Sequence, residues 1–156
     1  MASTSTNKQP LLIDRVLHYV VDLNTAAVAA IDVSGTNTAL LIVDSTSGDG
    51  AIIEDIYSIA RGTTKSTINL YLSSAFDYLR PNEATFIGTF DSATTAGSVT
   101  RWDEMPKILA PQPGDGSSEA QLKALYIPKG KALWAARQSS EVVTDGPLLG
   151  CQGGWY

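Results

Sequence analysis

The residues able to do chemistry are few, and they are scattered. There is one histidine, His18, and one cysteine, Cys151. A nucleophilic triad would have to join His18 to Cys151 or to a remote serine, and no Gly-x-Ser-x-Gly elbow is present to expose such a serine. His18 instead sits in an apolar stretch, HYVV, and reads as a residue of that segment. One His and one Cys cannot supply the usual zinc ligand set. Adjacent carboxylates occur at Glu54-Asp55 and Asp103-Glu104. Glycoside hydrolysis needs two converging carboxyl groups, but neighbours on a strand face opposite sides, so neither pair meets one substrate. Solvated surface is the simpler reading, with Glu54 or Asp55 turned inward to hydrogen-bond a partner as the alternative. Asp44 to Gly50 (DSTSGDG) has the look of a calcium loop but lacks the alternate ligands and the glycine at the sixth position. It reads as a polar turn. No phosphate-binding or dinucleotide fingerprint occurs. No enzyme, metal or cofactor is implied.

Trp102, Trp134 and Trp155 are the remaining candidates, as rings on which a sugar could stack. Trp134 lies between alanines on an apparent strand, which suits packing in a core or between subunits, where Trp and Tyr are favoured. Both uses require a β-framework to hold the rings.

That framework is legible. Ile52 to Leu72 carries two runs of β-formers separated by Arg61-Gly62-Thr63-Thr64-Lys65-Ser66, and it reads as a central hairpin. In the second run Ile68, Leu70 and Leu72 alternate with Thr67, Asn69 and Tyr71, the period of a strand with one buried face. The first run is apolar on both faces: Ile52, Ile56 and Ala60 on one, Ile53, Tyr57 and Ile59 on the other. Such a strand needs a second surface to cover it, from another sheet or another subunit. Ala39–Val43, Ala84–Phe90 and Gly97–Trp102 are further strands. LKALYI and KALWAAR form a second hairpin about the turn Pro128-Lys129-Gly130. The closing Trp155-Tyr156 implies a docked C-terminus. About eight short strands and no long helix indicate an all-β antiparallel sandwich or jelly roll.

The N-terminal stretch is divided between readings. Leu12, Ile13, Val16, Leu17 and Val20 have helical spacing, while the β-branched content and Pro10 favour an extended segment. We expect residues 1–30 to form an N-terminal arm and residues 31–156 the domain. The arm either adds a strand to another chain or packs on its own domain.

The 156 residues suit one domain with a self-sufficient core. A net charge of −5, from 16 acids and 11 bases without any basic cluster, argues against nucleic acid as a partner. A lone cysteine permits no internal disulfide. No secretion signal and no apolar run of membrane-spanning length is expected, because Leu11-Leu12-Ile13 is broken by Asp14-Arg15.

Four segments carry a resemblance: KQPLLIDR, IARGTTKSTINLYL, ALYIPKGKALWAA and the terminal QGGWY. Together they resemble small virion proteins of tailed phages, including phages of cyanobacteria, and within these the capsid decoration or cement proteins with a tumour-necrosis-factor-like jelly roll. The resemblance implies a homotrimer seated on the outer capsid surface, with itself and the major capsid protein as partners. On that reading the arm residues Leu11, Leu12, Ile13 and Leu17 touch the capsid. Tyr57, Trp134, Trp155 and Tyr156 are candidates for the trimer interface. Neck, baseplate and fibre proteins use the same fold, so a module on the virion that binds a host glycan or receptor is the alternative.

Overall fold

The computed structural model describes residues 15–23, 27–28, 39–74, 85–105, 124–138 and 146–155. Ten strands occur among them: β1 (Arg15–Asp22), β2 (Ala27–Val28), β3 (Leu40–Asp44), β4 (Gly50–Ile59), β5 (Thr67–Ser73), β6 (Thr85–Asp91), β7 (Val99–Arg101), β8 (Leu125–Pro128), β9 (Ala132–Gln138) and β10 (Leu148–Trp155). They form two five-stranded sheets. In the first the order is β1-β10-β4-β7, with β8 also on β4. In the second it is β2-β9-β5-β6, with β3 also on β9. All pairings are antiparallel except the two-residue β2–β9 bridge. The protein is an all-β sandwich.

The core lies between the sheets. Leu17 and Val21 of β1, Ile53 and Ile56 of β4, Leu125 and Ile127 of β8, and Leu149 and Cys151 of β10 meet Ile68 and Leu70 of β5 and Leu133 and Ala135 of β9. Each buried Leu, Ile or Val side chain among them contributes roughly 1.5–3 kcal/mol. Trp102, buried beside them, lays its indole over Gly88 of β6, where a β-carbon would stand 2.5 Å from the ring. The absence of a side chain at Gly88 is what lets the ring fit there.

Two expected hairpins are absent. β4 and β5 belong to different sheets, as do β8 and β9, so both intervening turns cross from one layer to the other. The second turn is pinned to β3's end rather than closing a ladder: Ser45 N–H donates to Lys131 O, and Gly130 N–H, at φ 81°, donates to Ser45 O. Among the described residues, the only connection between consecutive long strands within one sheet is that from β5 to β6. β7 and β8 occupy one strand line: β7 pairs with Tyr57–Ile59 and β8 with Gly50–Ile53, along the same edge of β4.

The two-faced β4 has a local cause. The pairing with β10 shifts register between Gln152 and Gly153, so that Asp55 opposes Gln152, Ile53 opposes Gly153, and Glu54 is the extra residue of a bulge. The alternation therefore changes phase, and Ile53 and Ile56, three apart, both enter the core. Ile52, Tyr57 and Ile59 face out. Much of the apparent double-sided character is this slip rather than two covered faces. At the bulge Gly153 is pressed against β4, with Ile52 O only 2.0 Å from where a β-carbon would lie.

The stretch beginning at Arg15 is extended, not helical. It belongs to the domain's own sheet, pairing with β10 from Arg15↔Trp155 to Asp22↔Leu148. Of the expected arm, residues 15–22 are therefore part of the domain, because Leu17 and Val21 complete the core instead of leaving it; residues 1–14 lie outside the described residues.

Candidate assembly surface

The outer face of the first sheet gathers most of the exposed apolar groups. Cross-strand partners share a face, and the register arranges this one in rows: Val16, Gly154, Ile52, Tyr126; then Val20, Gly150, Tyr57, Arg101; then Asp22, Leu148, Ile59, Val99. Val16 is 80% exposed, Tyr126 51%, Val99 49% and Val20 43%. Four of the six large hydrophobics exposed among the described residues thus stand on this one face.

Tyr57 is its centre. Gly150 opposite offers no side chain, and the phenol ring lies across it: a β-carbon there would be 2.2 Å from Cζ. The ring reaches over β10 to β1, where its hydroxyl and His18 Nε2 are hydrogen-bonded at 3.0 Å. Around this pair the charges are matched within the chain. Arg101 Nε donates to Asp55 at 3.1 Å, and Arg61 pairs with Asp22. These exposed pairs each contribute well under about 1 kcal/mol. They leave Glu54, at the bulge, as the face's exposed carboxylate outside these pairs.

Beside this face, where β1 comes near β3, a groove of about 440 Å³ is lined by residues including Arg15, Tyr19, Leu41, Asp44 and Trp155. Arg15 lies over the Trp155 ring at 5.4 Å, covering the surface on which a ligand would stack. On the opposite layer Tyr71, fully buried, meets Phe86 edge-on at 5.8 Å and packs with Ala136 and Trp134 on the outer side of the second sheet.

The expected contact residues therefore part company. Tyr57 is on the outer face of the first sheet, Trp134 on that of the second, and Trp155 at the rim against the core. No one surface contains all three. Leu17 is 5% exposed within the core, so it is not presented to a capsid; Leu11, Leu12, Ile13 and Tyr156 lie outside the described residues. Val16, Val20, Val99 and Tyr126 were missed. Their signal was the outward phase of each strand, readable only once the partner strands are known.

The reactive groups have structural surroundings. Cys151 is buried between β1 and β4, and desolvation pushes its thiol up to about 12. Neither Glu54 nor Asp55 turns inward: Glu54 is the exposed bulge residue, and Asp55 meets Arg101. Asp103 and Glu104 are exposed. The Asp44 carboxylate accepts from the Thr46 hydroxyl and N–H, which hold its pKa below the usual range, and the turn is closed by these bonds. Asp91 is likewise lowered, first by Lys65 Nζ at 2.9 Å and then, against a desolvation that raises it, by Thr67. Among the described residues no three His, Cys, Asp or Glu side chains converge on a metal-sized site, and no helix is long and apolar enough to cross a membrane.

No family model matches the chain, nor does any curated protein or solved structure. The class defined by fold and surface is an all-β sandwich with an apolar outer face.

Proposed function

We propose that the protein is a structural virion component, a homotrimer that binds the outer capsid surface of a tailed phage and cements the head after synthesis in the host cytoplasm. The observation that carries this reading is the outer face of the first sheet, apolar around Tyr57 and Tyr126 and with Asp55 and Asp22 paired to Arg101 and Arg61. Such a surface is stabilised by burial against an identical one, and closed symmetry hides it without leaving a free copy. With β7 and β8 counted as one interrupted strand, and the short β2 as a spur, every connection but β5–β6 changes sheets. That order is the basis for reading the sandwich as a jelly roll, as the resemblance to decoration proteins implies. The acidic balance suits the outside of a shell rather than its DNA-lined interior. The glycan-binding alternative is less well supported, because Trp102 is buried and the Trp155 ring is covered by Arg15.

The half of the face formed by β4, β7 and β8 is assigned to the three-fold contact. Tyr126→Lys with Val99→Asp puts two charges there at exposed positions, where folding is little affected. Sedimentation equilibrium should give a trimer for the native protein and smaller species for the variant, and only the native protein should co-sediment saturably with expanded phage heads. A native monomer that ignores heads, or a double variant that still forms trimers and coats them, would refute the proposal.

A further inference from the structure

The strands that end the two sheets are not alike. β6 carries a register shift against β5, β3 carries one against β9, β2 has two residues, β7 three, and β8 four ending in Pro128. Bulges, shortness and proline are the devices that stop a free strand from recruiting another. β1 has none of them. Its eight residues, RVLHYVVD, pair with β10 in unbroken register, contain neither Lys nor Pro, and keep their charges at the two ends. Among the described residues nothing pairs with its other edge. Along that edge Val16, Tyr19 and Val20 are exposed.

We propose that β1 pairs antiparallel with β1 of a second copy, across a two-fold axis through His18. An isologous strand pair must place residues of the same face opposite each other. Centring on His18 does so and sets Val16 against Val20 of the second copy on the outer face, twice by symmetry, with Leu17 against Tyr19 on the inner. Centring on Tyr19 instead opposes Val16 to Asp22 and His18 to Val20, an apolar group against a polar one each time. The outer-face residues of β1 are thus matched to themselves about His18, while toward the ends the same register opposes Arg15 to Val21. Beside this edge Tyr19 and Leu41, both exposed, line the groove between β1 and β3. The pairing extends two four-position sheets into one of eight and leaves neither copy with an unguarded edge. It uses β1, whereas the three-fold contact is assigned to β4, β7 and β8, so it goes beyond the virion reading and does not depend on it. On a shell, neighbouring three-fold positions are related by two-folds, and this contact would link adjacent trimers.

Cysteine cross-linking in the full chain tests the pairing. The native thiol, Cys151, is buried and gives no background. Opposed residues of an antiparallel pair have Cα atoms about 4.5–5.5 Å apart, within disulfide range. His18→Cys is therefore expected to form a disulfide dimer under mild oxidation at least tenfold faster than Tyr19→Cys, whose own equivalents lie too far apart, or Thr63→Cys on an exposed loop. The product is read on denatured chains, so it reports β1 pairing whether or not the protein is trimeric or binds heads. Val16→Asp, at a position too exposed to affect folding, should slow the His18→Cys cross-link at least tenfold. A His18→Cys rate equal to the loop control, a faster Tyr19→Cys, or indifference to Val16→Asp overturns the proposal.

Discussion

Gly153→Ala offers the sharpest test of how the first sheet is held together. The new β-carbon would lie 2.0 Å from Ile52 O, 2.9 Å from Ile52 C and 2.9 Å from the Ile53 α-carbon. Every one of these atoms is backbone of the adjoining strand, so no side chain can swing aside. Relief requires β10 and β4 to part by more than about 1 Å, beyond the roughly 0.3 Å spread of good hydrogen-bond lengths. Two flanking ladder bonds would weaken, at about 1 kcal/mol each. Ile53, which sits at the bulge and is fully buried, would lose part of its packing, a further ~2 kcal/mol or more. The gain from replacing glycine in a strand is only about 0.5–1 kcal/mol. The net expectation is a loss of about 3–4 kcal/mol, or roughly 10 °C in Tm for a chain of this length. Gly150→Ala is the internal comparison. Its clash is with the distal ring of Tyr57, which can rotate into solvent at the expense of the His18 bond, so its loss should stay near 1 kcal/mol. Urea unfolding followed by far-ultraviolet circular dichroism measures both, with unchanged m-values showing that the denatured state is the same. If Gly153→Ala lies within 1 kcal/mol of the native protein, or below Gly150→Ala in cost, the bulge is not the constraint described.

Two further outcomes follow from buried groups. The Cys151 thiol ionises near 9.0 in an unfolded chain but only at about 12 in the folded one. Its contribution is complete below pH 9 and declines by about 1.4 kcal/mol per pH unit between 9 and 12. Urea titrations at pH 8 and 10.5 should show this extra slope in the native protein and not in Cys151→Ala. Replacing Trp102 by Ala should cost about 3–5 kcal/mol through the cavity left between Gly88 and the core. Differential scanning calorimetry measures it, and a near-native Tm would mean that the indole is not packed as described.

Much of the framework could be read from residue order because it rests on local alternation. Ile68, Leu70, Leu133 and Ala135 are where period two places them, and Trp134 shares its outer side with Ala136. What failed was pairing. A turn such as Pro128-Lys129-Gly130-Lys131 has the same local chemistry whether it closes a ladder or crosses between layers. The choice is made by distant groups, here Ser45 on β3's end. The bulge at Glu54 was hidden for a similar reason: no residue there demands it, and only Gly153 on the opposing strand makes room for it. The assembly surface suffered most. Val16 and Tyr126 come from segments more than a hundred positions apart and are joined into one row by Gly154 and Ile52. Large aromatics attracted attention instead, and two of the three tryptophans proved to serve interior or second-sheet packing.

The place of β10 between β1 and β4 has a bearing on how the molecule is made. Its earliest strand and its longest strand are both zipped to the same late octapeptide. During synthesis, then, β1 leaves the ribosome far ahead of the ladder it joins, and the first sheet stays open until that octapeptide clears the exit tunnel. A nascent chain arrested before Leu148 should be quickly cleaved by protease, and release should make it resistant in a single step.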